Sequence, residues 1–433
     1  MPPNSPVSQR PVQPSRLRRL SGTAGGASAA IVSQGVVAAS SLVLQWLALR
    51  EFGPAGLGDF SILSNGIIVT ATAIHTGWIG DTLVILDRQR PEIRRALFRI
   101  SALSAVLSLI VGFVGALAFT DLTPAAAALF GVAVTLWLIE ETGRRIMMAR
   151  FEFVALVIND VIFGVVSVGL VLVVMWSSRL TMTWIVGSLA AGSAASIVAA
   201  AVQLPSSEMR PAGPGHAAYR EVAAFSTWRS GQLMMRPLGM LLARLAVSAI
   251  VSRSALGLME AGRLIIAPVM TAANGLGGFS LPYFTRHRDQ GDLRLGLVAR
   301  FAALSAVVAA VYAPVAFLVA PFFEAQSNSG AIPGALLASW CVYAVAYAVN
   351  IPIVNALTAL RHSRSVFWGR CIDSAVIVVF GAAVAAAWGI DLVPLTMTLG
   401  VAIGTAVPMM RLRASGQLPS GAPLPSADEP AAR

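Results

Sequence analysis

Lysine is absent from all 433 residues, so the 31 basic residues are all arginine. Charge of either sign is scarce: charged residues make up 12% of the chain, about half of what a soluble domain carries. With 56% hydrophobic residues and a mean hydropathy of +0.75, this shortage argues against a soluble enzyme and against a disordered chain. Two cysteines, Cys341 and Cys371, are too few for a disulfide framework and read as packing residues at different membrane depths. Zinc-ligand spacing, a Gly-x-Ser-x-Gly elbow and a phosphate loop are all missing. The expectation is a protein that is not an enzyme, with no metal and no cofactor. A net charge of +11 would suit nucleic acid, but the apolar excess directs it to a membrane surface instead.

Long apolar runs are what the chain has in abundance. About 20 such residues cross the hydrocarbon layer as a helix. Twelve stretches qualify: 24–49, 60–80, 100–120, 122–139, 151–176, 180–207, 221–250, 264–285, 301–323, 325–360, 374–390 and 392–410. The first is too long for a signal-peptide core. With the N-terminus inside, 24 arginines fall in seven inner segments and only Arg50, Arg179 and Arg253 in outer loops. Adding or dropping one span would invert every later loop and destroy this asymmetry. The fold class expected is an all-α integral membrane protein with twelve transmembrane helices in two six-helix bundles and both termini cytoplasmic. The domain reading is a disordered N-tail (1–23), an N-lobe (24–204), a Pro/Gly-rich linker (205–219), a C-lobe (220–411) and a disordered C-tail (412–433).

The halves echo each other. Phe52-Gly53-Pro54-Ala55-Gly56-Leu57-Gly58-Asp59 follows the first span and Ser252-Arg253-Ser254-Ala255-Leu256-Gly257-Leu258 the seventh, 199 positions apart when Gly58 is set on Gly257. The turns at Arg150 and Arg361 correspond too, each followed by an acidic residue in the next span, Asp160 and Asp373. Such parallel repeats build transporters whose substrate site lies between them.

The run Leu47-Ala48-Leu49-Arg50-Glu51-Phe52-Gly53-Pro54, then Gly58-Asp59-Phe60, the Arg150 turn and the 6+6 layout without soluble domains together resemble the MOP exporter superfamily. The similarity is to its polysaccharide transporter branch, the Wzx-type oligosaccharidyl-lipid flippases. The resemblance implies a MATE-like pair of bundles and a polyprenyl-pyrophosphate-linked glycan moved to the outer leaflet of the bacterial inner membrane. It also implies partnership with a polysaccharide polymerase and glycosyltransferases. The lipid II flippase branch typically has fourteen spans, which counts against it. Alternatives are an ion-coupled drug exporter of the same superfamily and, from another class, a polyprenyl-dependent glycosyltransferase or ligase.

The seventh and eighth helices meet near Ser252–Ala255, so four arginines lie inside membrane helices: Arg229, Arg236 and Arg244 within a sector of roughly 80° on the seventh, and Arg263 about two turns into the eighth. An arginine at the bilayer centre costs at least about 2.5–3.5 kcal/mol, so these should face protein or a watery cavity rather than lipid. Guanidinium forks pair with phosphate, which makes all four candidate substrate-binding residues. The competing reading is neutralisation by acidic neighbours such as Glu260. His75 and Asp160 are candidate groups for proton or sodium coupling, and Pro237 beside Arg236 is a candidate hinge. The cluster Glu140, Glu141, Arg144 and Arg145, with its (i, i+4) spacing at a helix end, reads as a solvated salt-bridged face.

Overall fold

A computed structural model describes residues 23–86, 90–209, 213–326, 331–360 and 362–414. Most of the expected tails (1–22 and 415–433), with Arg10, Arg16, Arg18, Arg19 and Arg433, and the loop arginines Arg88, Arg210 and Arg361, lie outside the described residues, as does part of the 205–219 linker; residues 23 and 412–414, expected in the disordered tails, are helical. Helices joined by short turns make up the described residues, with no strand among them.

The first helical stretch, Thr23–Ser61, is broken at Gly53, whose φ of 65° and ψ of −168° favour glycine. Pro54 then opens the next helix, its fixed φ suiting a first turn. The two limbs, α1 (23–52) and α2 (54–85), fold back on each other, and Asn65 Nδ2 donates to Gln45 Oε1 at 2.8 Å. Helix α2 contains two π-helical segments, Ile62–Ile68 and Thr76–Gly80. The remaining long helices are α3 (Pro91–Phe119), α4 (Pro124–Ala149), α5 (Phe153–Ser177), α6 (Met182–Gln203), α7 (Tyr219–Ile250), α8 (Arg253–Asp289), α9 (Leu295–Gln326), α10 (Gly334–Ala359), α11 (Ser363–Trp388) and α12 (Val393–Ala414). Local chemistry starts them: Thr123 accepts from Ala126 N ahead of Pro124, and Ser252 accepts from Ala255 N.

Among the described residues, eleven apolar stretches are long enough to span a membrane. The first, Val32–Leu83, has 52 residues and would measure about 78 Å if straight, against a hydrocarbon layer of about 30 Å. The reversal at Gly53 divides it. The outward faces are apolar, as at Val165, Val202, Val311 and Leu318, and tryptophans sit at helix ends, with Trp176 92% exposed. The chain is therefore a multi-pass membrane protein.

The hydrophobic core is shared between the halves at one end and divided at the other. At the end carrying the turns at Gly53 and Ser252, one continuous cluster joins Leu47, Leu57 and Phe60 of the first half to Leu256, Met259 and Trp340 of the second. At the opposite end, Ile79, Ile93, Ile146 and Leu156 form one cluster, to which α7 of the second half adds only Val222, and Phe284, Leu293, Val298 and Leu357 form a separate one. Where the halves fuse, α2 and α8 cross at backbone contact. A Cβ on Gly58 would meet the Arg253 carbonyl oxygen at 2.4 Å, and one on Gly257 would meet that of Pro54 at 1.6 Å. The contact is reciprocal in the same 199-residue register that the sequence echo shows. Toward the divided end, Gln34 and Gly35 of α1 and Asn274 and Phe279 of α8 are exposed, while α2 and α7 stay joined through Thr82 and Ser226.

Candidate functional site

The three arginines of α7 occupy three depths, and each has a carboxylate partner. At the divided end, Arg229 Nε donates to Asp81 Oδ2 of α2 at 2.6 Å, across the boundary between the halves. At mid-depth, Arg236 donates to Asp373 of α11 and to the Tyr343 hydroxyl of α10, both at 2.8 Å, and lies over the Tyr347 ring at 5.2 Å. At the fused end, Arg244 donates to Glu260 of α8 at 2.8 Å and to the Asn65 carbonyl of α2 at 3.3 Å. The π-helical turn around Asn65 lies at this contact, a common role for such distortions. Arg263 donates to Glu260 at 2.5 Å and, across the boundary, to Gln45 of α1 at 2.5 Å.

Of the two readings that the sequence left open, neutralisation by carboxylates describes this state of all four arginines. The neutralisation is incomplete at two nodes. Among the described residues, Glu260 alone serves Arg244 and Arg263, and Asp373 alone serves Arg236 and Arg370. Each node keeps one positive charge beyond its carboxylate, held among buried side chains where solvent screens it poorly.

A third network corrects the reading of the α4 cluster as a solvated face. Glu140, Glu141 and Arg144 are buried. The expected pairing is there: Arg144 and Arg145 bond Glu141 at 2.8 and 2.7 Å. The pairing continues inward, with Arg144 Nε 2.8 Å from Asp160 Oδ1 on α5, and Ser33 of α1 donating to Asp160. It continues outward through Arg145 to Asp81 at 3.9 Å, and so to Arg229. The result is a ladder of alternating charge from the interior of the first bundle to the second. Helical spacing could reveal the i, i+4 pairs. It could not reveal burial, because the same spacing serves exposed faces.

Asp160, the candidate coupling residue, is thus clamped by a guanidinium and a hydroxyl. His75 is buried between hydroxyls, 2.9 Å from Thr142 and 3.4 Å from Ser104. It lines a cavity of about 320 Å³ between α2, α3, α4 and α6, whose wall is mainly apolar (Leu97, Phe98, Leu138, Ile197) and whose polar lining includes Glu140. Pro237, the candidate hinge, lies inside an unbroken α7 that is tied to α11 beside it: Ser374 donates to the Met235 carbonyl, and Gly239 meets Ser374 closely. Outside the spans, Glu152 and Glu208 hold the Arg150 guanidinium more firmly protonated than usual, Glu152 contributing most. Cys341 and Cys371 are both free thiols. Among the described residues, no group of three His, Cys, Asp or Glu side chains could hold a metal ion.

No family model matches the sequence, and no curated protein matches it. Solved structures do. The chain aligns with a MOP superfamily transporter from Pyrococcus furiosus Vc1 (DSM3638), described as having a binding pocket of reverse polarity. The TM-score is 0.63 at 12% identity, over 90% of this chain and 95% of that one. It aligns with an outward-facing multidrug resistance MATE transporter of the same superfamily at a TM-score of 0.66 and 11% identity, over 94% and 99%. It aligns with the lipid II flippase MurJ, in an inward closed conformation, at 0.67 and 11%, over 90% and 87%. The chain has the fold of the MOP superfamily transporters.

Proposed function

We propose that this protein translocates an anionic, lipid-linked substrate, a polyprenyl-pyrophosphate-linked oligosaccharide, across the bacterial inner membrane by alternating access between two six-helix bundles. Both termini and the arginine-rich loops face the cytoplasm, and twelve spans cross the bilayer. The observation that carries the reading is the pair of nodes where two guanidiniums share one carboxylate, Arg244 and Arg263 on Glu260 and Arg236 and Arg370 on Asp373. A pyrophosphate can take up a surplus guanidinium at such a node with bidentate bonds. The halves part toward the basic side along α1 and α8, which suits capture of a head group there while its lipid tail stays in the bilayer.

The test is flipping of a fluorescent polyprenyl-pyrophosphate glycan in proteoliposomes. The protein should move it saturably, Arg236→Ala should lose that movement in a folded protein, and Arg236→Lys should retain part of it. Normal flipping by the alanine variant refutes the role of the surplus charge. A second reading, an ion-coupled exporter of small molecules, is favoured by one observation: the 320 Å³ apolar cavity carries the buried carboxylate of Glu140 in its lining, a combination suited to a lipophilic cation. Transport of such cations without flipping of the glycan lipid would select it.

A further inference from the structure

Glu140 belongs to none of the ion pairs above. It is 5% exposed, its Oε2 has no hydrogen-bond partner among the described residues, and it lines the 320 Å³ cavity. Its surroundings are well defined. Its own helix supplies Arg144 and Glu141, the latter also holding Arg145, and α5 supplies Asp160. From α2 comes His75. From α3 and the short helix Ser206–Met209 come Arg94 and Glu208, on the wall of the same cavity. From α6 come the Ser193 hydroxyl and the apolar Ile197 and Ala200.

Charge balance decides what Glu140 does. Among the described residues of this cluster, two guanidiniums, Arg144 and Arg145, face three carboxylates, Glu140, Glu141 and Asp160, while Asp81 is matched by Arg229, and Arg94 and Glu208 on the cavity wall add one charge of each sign. Glu141 and Asp160 are already held by guanidiniums. A buried, uncompensated carboxylate is neutralised rather than left charged. We propose that Glu140 is a proton-binding site, reached through the cavity, whose charge sets how tightly the two bundles are held together at Asp81 and Arg229. The proposal rests on the transport reading only in calling this coupling.

The direction follows from Coulomb's law. Loss of the proton adds a negative charge to the first bundle. That charge competes with Glu141 for Arg144, one turn along the same helix, so that Glu141 takes more of Arg145 and the longest link of Arg145, the 3.9 Å contact with Asp81, weakens, leaving Asp81 to Arg229 of the second bundle. Deprotonation tightens the contact between bundles at the divided end, and protonation loosens it.

Two measurements need no substrate, so their failure is separable from failure of the transport reading. Infrared difference spectra of the purified protein should contain a protonated-carboxyl band that Glu140→Gln removes and Glu140→Asp moves without removing. Spin labels at the exposed positions Val202 and Gln290, placed in a cysteine-free background, should report a shorter distance between bundles as pH rises. Glu140→Gln should hold the low-pH distance at every pH, Glu140→Asp should restore the response, and His75→Asn should leave it in place. A band unchanged by Glu140→Gln, or a distance response that survives that variant or disappears in His75→Asn, overturns the proposal. If Glu140→Gln does not fold, the Glu140→Asp spectrum decides: an unmoved band overturns it equally.

Discussion

At the scale of single residues, intramembrane charge is costly, and that cost made four arginines conspicuous in the sequence. What each one touches was not legible. Asp373 is 137 positions from Arg236, and only packing of α11 against α7 brings the two to 2.8 Å. The aromatic side of this site, Tyr343 and Tyr347, carried no signal, because a tyrosine in an apolar run looks like any packing residue. Asp373 is 1% exposed and is the shared carboxylate for Arg236 and Arg370. Removing one partner of a buried ion pair costs about 3–5 kcal/mol, because the other charge stays behind. Asp373→Ala should therefore destabilise the purified protein by that order, seen as a lower melting temperature in detergent. The double variant Asp373→Ala with Arg236→Met, which removes one charge of each sign, should recover part of the loss. A melting temperature unchanged in Asp373→Ala would mean that the node contributes nothing to stability.

At the scale of elements, the repeat visible in the sequence turns out to be a joint. Gly58 and Gly257, aligned by a faint similarity between two turns, are the residues through which the two helices press on each other's backbone. Neither tolerates a side chain without separation of α2 from α8. Gly257→Ala should destabilise the protein by about 1–3 kcal/mol through overpacking. Gly275→Ala, on the same helix with nothing within 4 Å of its added Cβ, should be neutral or stabilising by up to about 1 kcal/mol from better helix propensity. Equal effects of the two substitutions would show that the crossing is not tight. The π-helical segments of α2 had no sequence signal. They arise where this helix must meet α7 over its length, with Asn65, Gly77 and Thr82 all in contact with it.

At the scale of the molecule, two observations concern the same axis: the arginine asymmetry of the loops and the division of the hydrophobic core. The asymmetry predicts that a reporter fused after Arg300 is cytoplasmic and one after Glu324 external; the reverse pattern would break the topology. The divided core predicts access. Cysteines placed at Gln34 and Asn274, both exposed toward the divided end of α1 and α8, should react with a membrane-impermeant thiol reagent added from the cytoplasmic side. They should resist it from the other side. Equal labelling from both sides would contradict closure at the Gly58–Gly257 crossing.

The sequence by itself determined the membrane, the many long apolar helices and the 199-residue echo, because hydropathy is local and additive along a chain. It also marked the arginines, because a lone charge in an apolar run is visible without a partner. Only the tertiary structure decided that those arginines share too few carboxylates, that the α4 cluster is buried, and that Glu140 is left over. Charge compensation is a property of neighbours in space, and neighbours 100 or more positions apart leave no mark on the chain between them.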